Sequence, residues 1–131
     1  VTDRLVLDAG ALIALERNDR AMWARLGEAA DAGMDVVVPP GALAQVWRGA
    51  PSQARLAQAL QHLRPGSFDG LAREAGALCG RARTADPIDA SVVLEAVGTT
   101  SVIATSDPSD LRRLLRALPD GAGRSIRVLR A

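Results

Sequence analysis

Short apolar runs alternate along the chain with longer stretches in which apolar residues recur every three or four positions. Arg4-Leu5-Val6-Leu7, closed by Asp8, reads as a buried strand. Ala11, Leu12 and Leu15 then follow a helical spacing. Met22, Leu26 and Ala29 or Ala30 put one apolar face on a helix over 21–32, which Gly33 closes. Asp35-Val36-Val37-Val38 is a second strand, ended by Pro39-Pro40. A short helix over 41–48 follows, and another over 51–63 in which Leu56, Ala59, Leu60 and Leu63 share a face. Residues 66–70 are turn-like, with room for a short strand. Helices are expected over 71–83, 86–97 and 108–118, and strands over 101–104 and 126–129. Strands alternating with helices predict an α/β fold with a parallel sheet of about four to five strands. No repeat, linker or low-complexity tract divides the 131 residues, so one domain over 1–131 is expected.

Composition narrows the function classes. Trp23, Trp47 and Phe68 are the only aromatics, too few for a base-stacking sheet. Trp47 is expected in the core or at a dimer or partner surface rather than under a base. Cys79 and His62 each stand alone, which excludes an intrachain disulfide, a Cys-based zinc site and His-rich metal sites. No apolar run approaches the roughly 18 residues that span a bilayer, so a cytoplasmic protein with no membrane partner is expected. Net charge is +1, and every basic residue is Arg. That balance neither requires nor forbids nucleic acid.

The chemistry lies in the carboxylates. Open parallel sheets bind ligands beyond the carboxyl ends of their strands. Asp8 follows the first strand, Asp107 follows the strand over 101–104, and Asp89 lies in the first turn of the helix leading into it. Such oxygen donors suit Mg²⁺ or Mn²⁺. A second explanation stands beside this one. Asp86-Pro87-Ile88-Asp89 and Asp107-Pro108-Ser109-Asp110 share one form, in which Asp caps a helix, Pro opens it and an acid faces its dipole. Asp8 too has the place of a cap. Other acid-bearing α/β folds lack their marks here. There is no Lys for a receiver domain or a P-loop, no second Asp two residues after Asp8 as in the haloacid-dehalogenase phosphatases, and no glycine-rich dinucleotide fingerprint.

Three segments together resemble the PIN-domain family, and within it the VapC-like toxin ribonucleases. They are Leu5-Val6-Leu7-Asp8-Ala9-Gly10-Ala11-Leu12, Asp89-Ala90-Ser91-Val92-Val93-Leu94-Glu95-Ala96 and Val102-Ile103-Ala104-Thr105-Ser106-Asp107, the last two acids lying eighteen residues apart. The resemblance covers almost the whole chain. It implies a single PIN-like domain and a metal-dependent endoribonuclease toxin, with Mg²⁺ or Mn²⁺ on catalytic Asp8, Asp89 and Asp107. It also implies an RNA substrate, a homodimer and neutralisation by a VapB-like antitoxin. The chain departs from the family at Gln45, where a Glu is usual in a Glu-Leu-x-x-Gly setting. An amide brings no charge and takes up no proton at neutral pH. Gln45, Asp86 and Asp110 are therefore further candidate ligands, while Glu16 lies two turns past Asp8, far from the rim. Arg112, Arg113 and Arg116 fit phosphate contact and a solvated helix face equally well. The alternative reading is a catalytically weakened module of the same fold that binds RNA or protein.

Overall fold

The computed structural model describes residues 3–131. Five parallel strands form one sheet: β1 (Arg4–Leu7), β2 (Asp35–Val38), β3 (Arg64–Pro65), β4 (Ser101–Thr105) and β5 (Ile126–Arg130). Their spatial order is β3-β2-β1-β4-β5. The chain therefore moves outward on one side of β1, then returns to the other side through β4. The carboxyl ends of β1 and β4 flank the point where direction reverses, the place at which such sheets open a crevice.

Seven α-helices connect the strands: α1 (Ala9–Glu16), α2 (Arg20–Asp31), α3 (Pro40–Val46), α4 (Ala54–Leu60), α5 (Ala72–Ala82), α6 (Pro87–Ala96) and α7 (Pro108–Arg116). One packed group joins α1 to α2, α3 and α4; a second joins α6 to α5 and α7. Val6, Leu7, Leu12, Leu15, Ile103, Val92 and Val93 are fully enclosed between these layers. At about 25 cal/mol per Å² of apolar surface removed from water, this burial is the main stabilising term. Among the described residues, no helix is long and apolar enough to cross a membrane.

Several boundaries differ from the sequence pattern. The helix expected over 51–63 is a 3₁₀ turn at Pro51–Gln53 followed by α4. Buried Gln53 causes the break. Its Oε1 accepts from the amides of Arg48 and Gly49, and its Nε2 donates to Val46 O and Glu16 Oε1. The side chain thereby terminates α3 and ties it to α1. The short strand lies at Arg64–Pro65, ahead of the expected 66–70. There, Gly66 N–H donates to Val38 O and buried Glu95 accepts from Ser67 N–H. A Cβ on Gly66 would meet the Glu95 carboxylate, which would have to move aside. Trp47 is 39 % exposed, which removes the core alternative for it.

Candidate active site

Parallel pairing sets the site. Leu7 is opposite Ala104, so Asp8 leaves its strand beside Thr105. The Asp8 amide donates to Ala104 O, extending the ladder by one step. Asp8 is only 6 % exposed and fully engaged. Its Oδ1 caps α1 by accepting from Ala9 N–H at 2.7 Å, and its Oδ2 accepts from Thr105 Oγ1–H at 2.7 Å. Thr105 Oγ1 in turn accepts from the Asp107 amide at 3.0 Å. One buried hydroxyl thus fixes the distance between the loops that follow β1 and β4. Gly10 permits the close approach. A Cβ there would lie 2.5 Å from Ser106 N, so any larger residue would force the two loops apart.

The two Asp-Pro-x-Asp segments behave differently. Asp86 is a working cap: its Oδ1 accepts from the amides of Ile88 and Asp89, both at 3.1 Å. Asp107 occupies the N-cap place of α7 but makes no capping bond. Its Oδ1 instead accepts from Ser109 Oγ–H. Exposed Asp107 is therefore not held by its own helix.

Asp89 is half-buried between these groups. Burial first, then the negative charges of Asp86 and Asp8, push its carboxyl up to about 7. Asp110 is also raised, chiefly because its carboxyl hydrogen-bonds with that of Asp107. Asp86, Asp89 and Asp110 line an open cavity of about 400 Å³ with Thr84 and Arg113. Asp8, Asp89 and Asp107 thus come to the same rim, with Asp86 and Asp110 beside them. Gln45 makes no side-chain hydrogen bond to any of these acids among the described residues. It is exposed and lines a separate cavity with Ile13, Glu16, Arg17 and Arg48. Glu16 is held by Gln53, away from the rim.

The donors at the rim are carboxylate oxygens, with no sulfur or imidazole, and they carry charge that no ion pair compensates. The ion pairs among the described residues, Arg4–Asp35 and Arg64–Asp35, both lie at the opposite end of the sheet. Uncompensated oxygen donors fit a hard divalent cation. Among the described residues, however, no three acidic, histidine or cysteine side chains already stand close enough together to enclose one. Side-chain rotation of exposed Asp107 and half-buried Asp89 would have to close the set. Asp8, locked by two hydrogen bonds, is the fixed member.

Thr105 and Gly10 also shape this rim, and Arg130 lies beside it. Thr105 had a readable sign, a hydroxyl residue two positions before a strand-end Asp. Gly10 acquires its role only when Ser106 is placed against it. Arg130 lies beyond every acidic motif, and only strand pairing brings it near one.

No family model matches the sequence, and no curated protein matches it either. Among solved structures, a chain in the structure of FitAB bound to an IR36 DNA fragment is similar, with a TM-score of 0.58 and 14 % sequence identity. The similarity covers 96 % of this chain and 94 % of that one. The chain has a PIN-like α/β fold.

Proposed function

We propose that the protein is a metal-dependent endoribonuclease of the toxin type, with Asp8, Asp89 and Asp107 as catalytic carboxylates and metal ligands. The observation that carries this reading is the gathering of carboxylates at the switch point, where burial first and then the charges of Asp86 and Asp8 raise Asp89 to about 7. Carboxylates held together with no ion pair between them and a cationic side chain favour a cation or a shared proton. The FitAB chain of like fold, in a structure that contains DNA, is in keeping with a nucleic-acid role.

In this reading Asp8, Asp89 and Asp107 would hold Mg²⁺ or Mn²⁺, and Asp86 and Asp110 would shape the charge around it. A bound divalent cation supplies Lewis acidity and neutralises charge on a phosphodiester. The protein's part is orientation. Thr105 holds Asp8 in one rotamer, and Asp86 fixes the first turn of α6 under Asp89. Helices α1, α6 and α7 all begin at this rim, so their positive dipole ends favour an approaching phosphate.

A small antitoxin of the VapB kind and a second copy of the chain complete the proposal. An inhibitor that inserts an Arg would satisfy the carboxylates as a cation does. Gln45, turned to another cavity, favours a second reading: a weakened module that binds RNA without cutting it. Cleavage of single-stranded and structured RNA with Mn²⁺, with EDTA and by Asp8→Asn separates the two. Mn²⁺-dependent cutting lost in Asp8→Asn supports the nuclease. Binding without cutting supports the weakened module.

A further inference from the structure

Strand register places a cation in line with the acids. Side chains of parallel neighbours in register share a face of the sheet. Val6, Ile103 and Val128 form one such row, and Thr105 pairs with Arg130 two residues further along. Asp8, bonded to Thr105, completes a second row at the rim: Asp8, Thr105, Arg130. Neighbouring strands lie about 4.8 Å apart, so Arg130 starts one strand-spacing from Thr105 and two from Asp8.

Arg130 is exposed, yet held at both ends. Its carbonyl accepts from Arg25 NH1 at 2.8 Å, and the next amide, Ala131 N–H, donates to Thr105 O at 2.7 Å. Its guanidinium donates through NH1 to Ser106 O at 3.1 Å, next to Asp107. No carboxylate pairs with it among the described residues. An Arg whose guanidinium bonds Ser106 O and no carboxylate keeps further N–H donors for other oxygens. A planar fork of that kind matches the oxygens of a phosphodiester.

We infer that Arg130 is a phosphate-binding residue that seats the RNA strand beside the carboxylates. The inference rests on the nuclease reading and adds a residue to it. Arg127 is the natural control. It is exposed on the same strand and carries the same charge, but it lies on the opposite face with Leu5, Val102 and Leu129.

The test follows cleavage of a mixed-sequence single-stranded RNA in Mn²⁺ at several salt concentrations. If the wild type binds without cutting, Kd takes the place of KM. Arg130→Gln is expected to raise KM about tenfold, the scale of one lost charge-assisted bond. It should also lower the slope of log affinity against log salt by about 0.7, one phosphate contact on a single strand. Arg130→Lys should restore the slope but not the full affinity. Arg127→Gln should change neither. A merely structural Arg130 would leave the salt slope unmoved, and that result overturns the inference while the nuclease reading stands. Equal effects of Arg127→Gln and Arg130→Gln would overturn it too. A wild type that neither binds nor cuts RNA removes the nuclease reading and this inference together.

Discussion

The two ends of one sheet treat their acids in opposite ways. At the amino end, Asp35 lies between Arg4 and Arg64, with bonds of 2.9 and 2.8 Å. Those partners, Arg64 foremost, hold its carboxyl below the ordinary range. At the carboxyl end, Asp8, Asp86, Asp89, Asp107 and Asp110 gather without one ion pair among the described residues, and Asp89 rises to about 7. Satisfied charge reads as architecture. Charge left without an ion pair, kept at the switch point by Thr105 and Gly10, is what the proposed metal site rests on.

The largest effect should come from breaking the carboxyl end. Asp8→Asn is expected to lower RNA cleavage on the order of a hundredfold or more. The fold should survive, because an amide oxygen can still accept from Ala9 N–H. Cleavage rate and thermal midpoint measured on one preparation check both halves. A variant that unfolds would assign Asp8 to capping alone.

Titration should then separate the two ends by sign. In metal-free protein Asp89 keeps its proton up to about 7. The unfolded chain releases it near about 4. The native state therefore binds more protons between those values, and stability falls as pH rises through that window. Asp35 works the other way, because its native pKa is lowered. Its contribution is present above the ordinary carboxylate range and is lost as pH falls through its native value. Thermal midpoints in EDTA should thus decline from mildly acidic to neutral pH. Asp89→Asn should flatten that decline, and Mn²⁺ should reverse it by favouring the ionised carboxylates. A midpoint that rises toward pH 7 in EDTA would contradict the uncompensated cluster.

A smaller change is expected from Asp35→Ala. Both of its pairs are partly solvated, so the loss should be about 1 kcal/mol in chemical denaturation. RNA cleavage should be unchanged. A marked loss of activity would mean that the two ends are coupled through β1 and β2.

The smallest effect belongs to Gln45→Glu. Its side chain lines the cavity of Glu16 and Arg48, apart from the acidic cavity. Mn²⁺ affinity by titration should shift by less than about twofold at physiological salt, where exposed charges are screened over about 8 Å. A large tightening would show that α3 turns toward the rim when the cation binds.

The order of strands and helices was legible in the sequence because burial imposes a period on each. Val36, Val37 and Val38 must be enclosed as a strand, while Leu111 and Leu114 mark one face of a helix. The acids at strand ends were legible too, since a parallel sheet presents its carboxyl ends together. The sequence could not divide those acids by duty. Asp86 and Asp107 occur in the same Asp-Pro-x-Asp form, yet Asp86 caps its helix and Asp107 does not. The Asp107 side chain accepts from Ser109 Oγ–H instead, while its amide is tied to Thr105 from outside the motif. The break at Gln53 is of the same kind, tied to Val46, Arg48 and Gly49 at the end of α3 and to Glu16 on another helix. Local pattern determined which segments are enclosed. Contacts between segments far apart in the chain decided which acids stay uncompensated, because Thr105, Ser106 and Arg130 reach the rim only through the register of β1, β4 and β5.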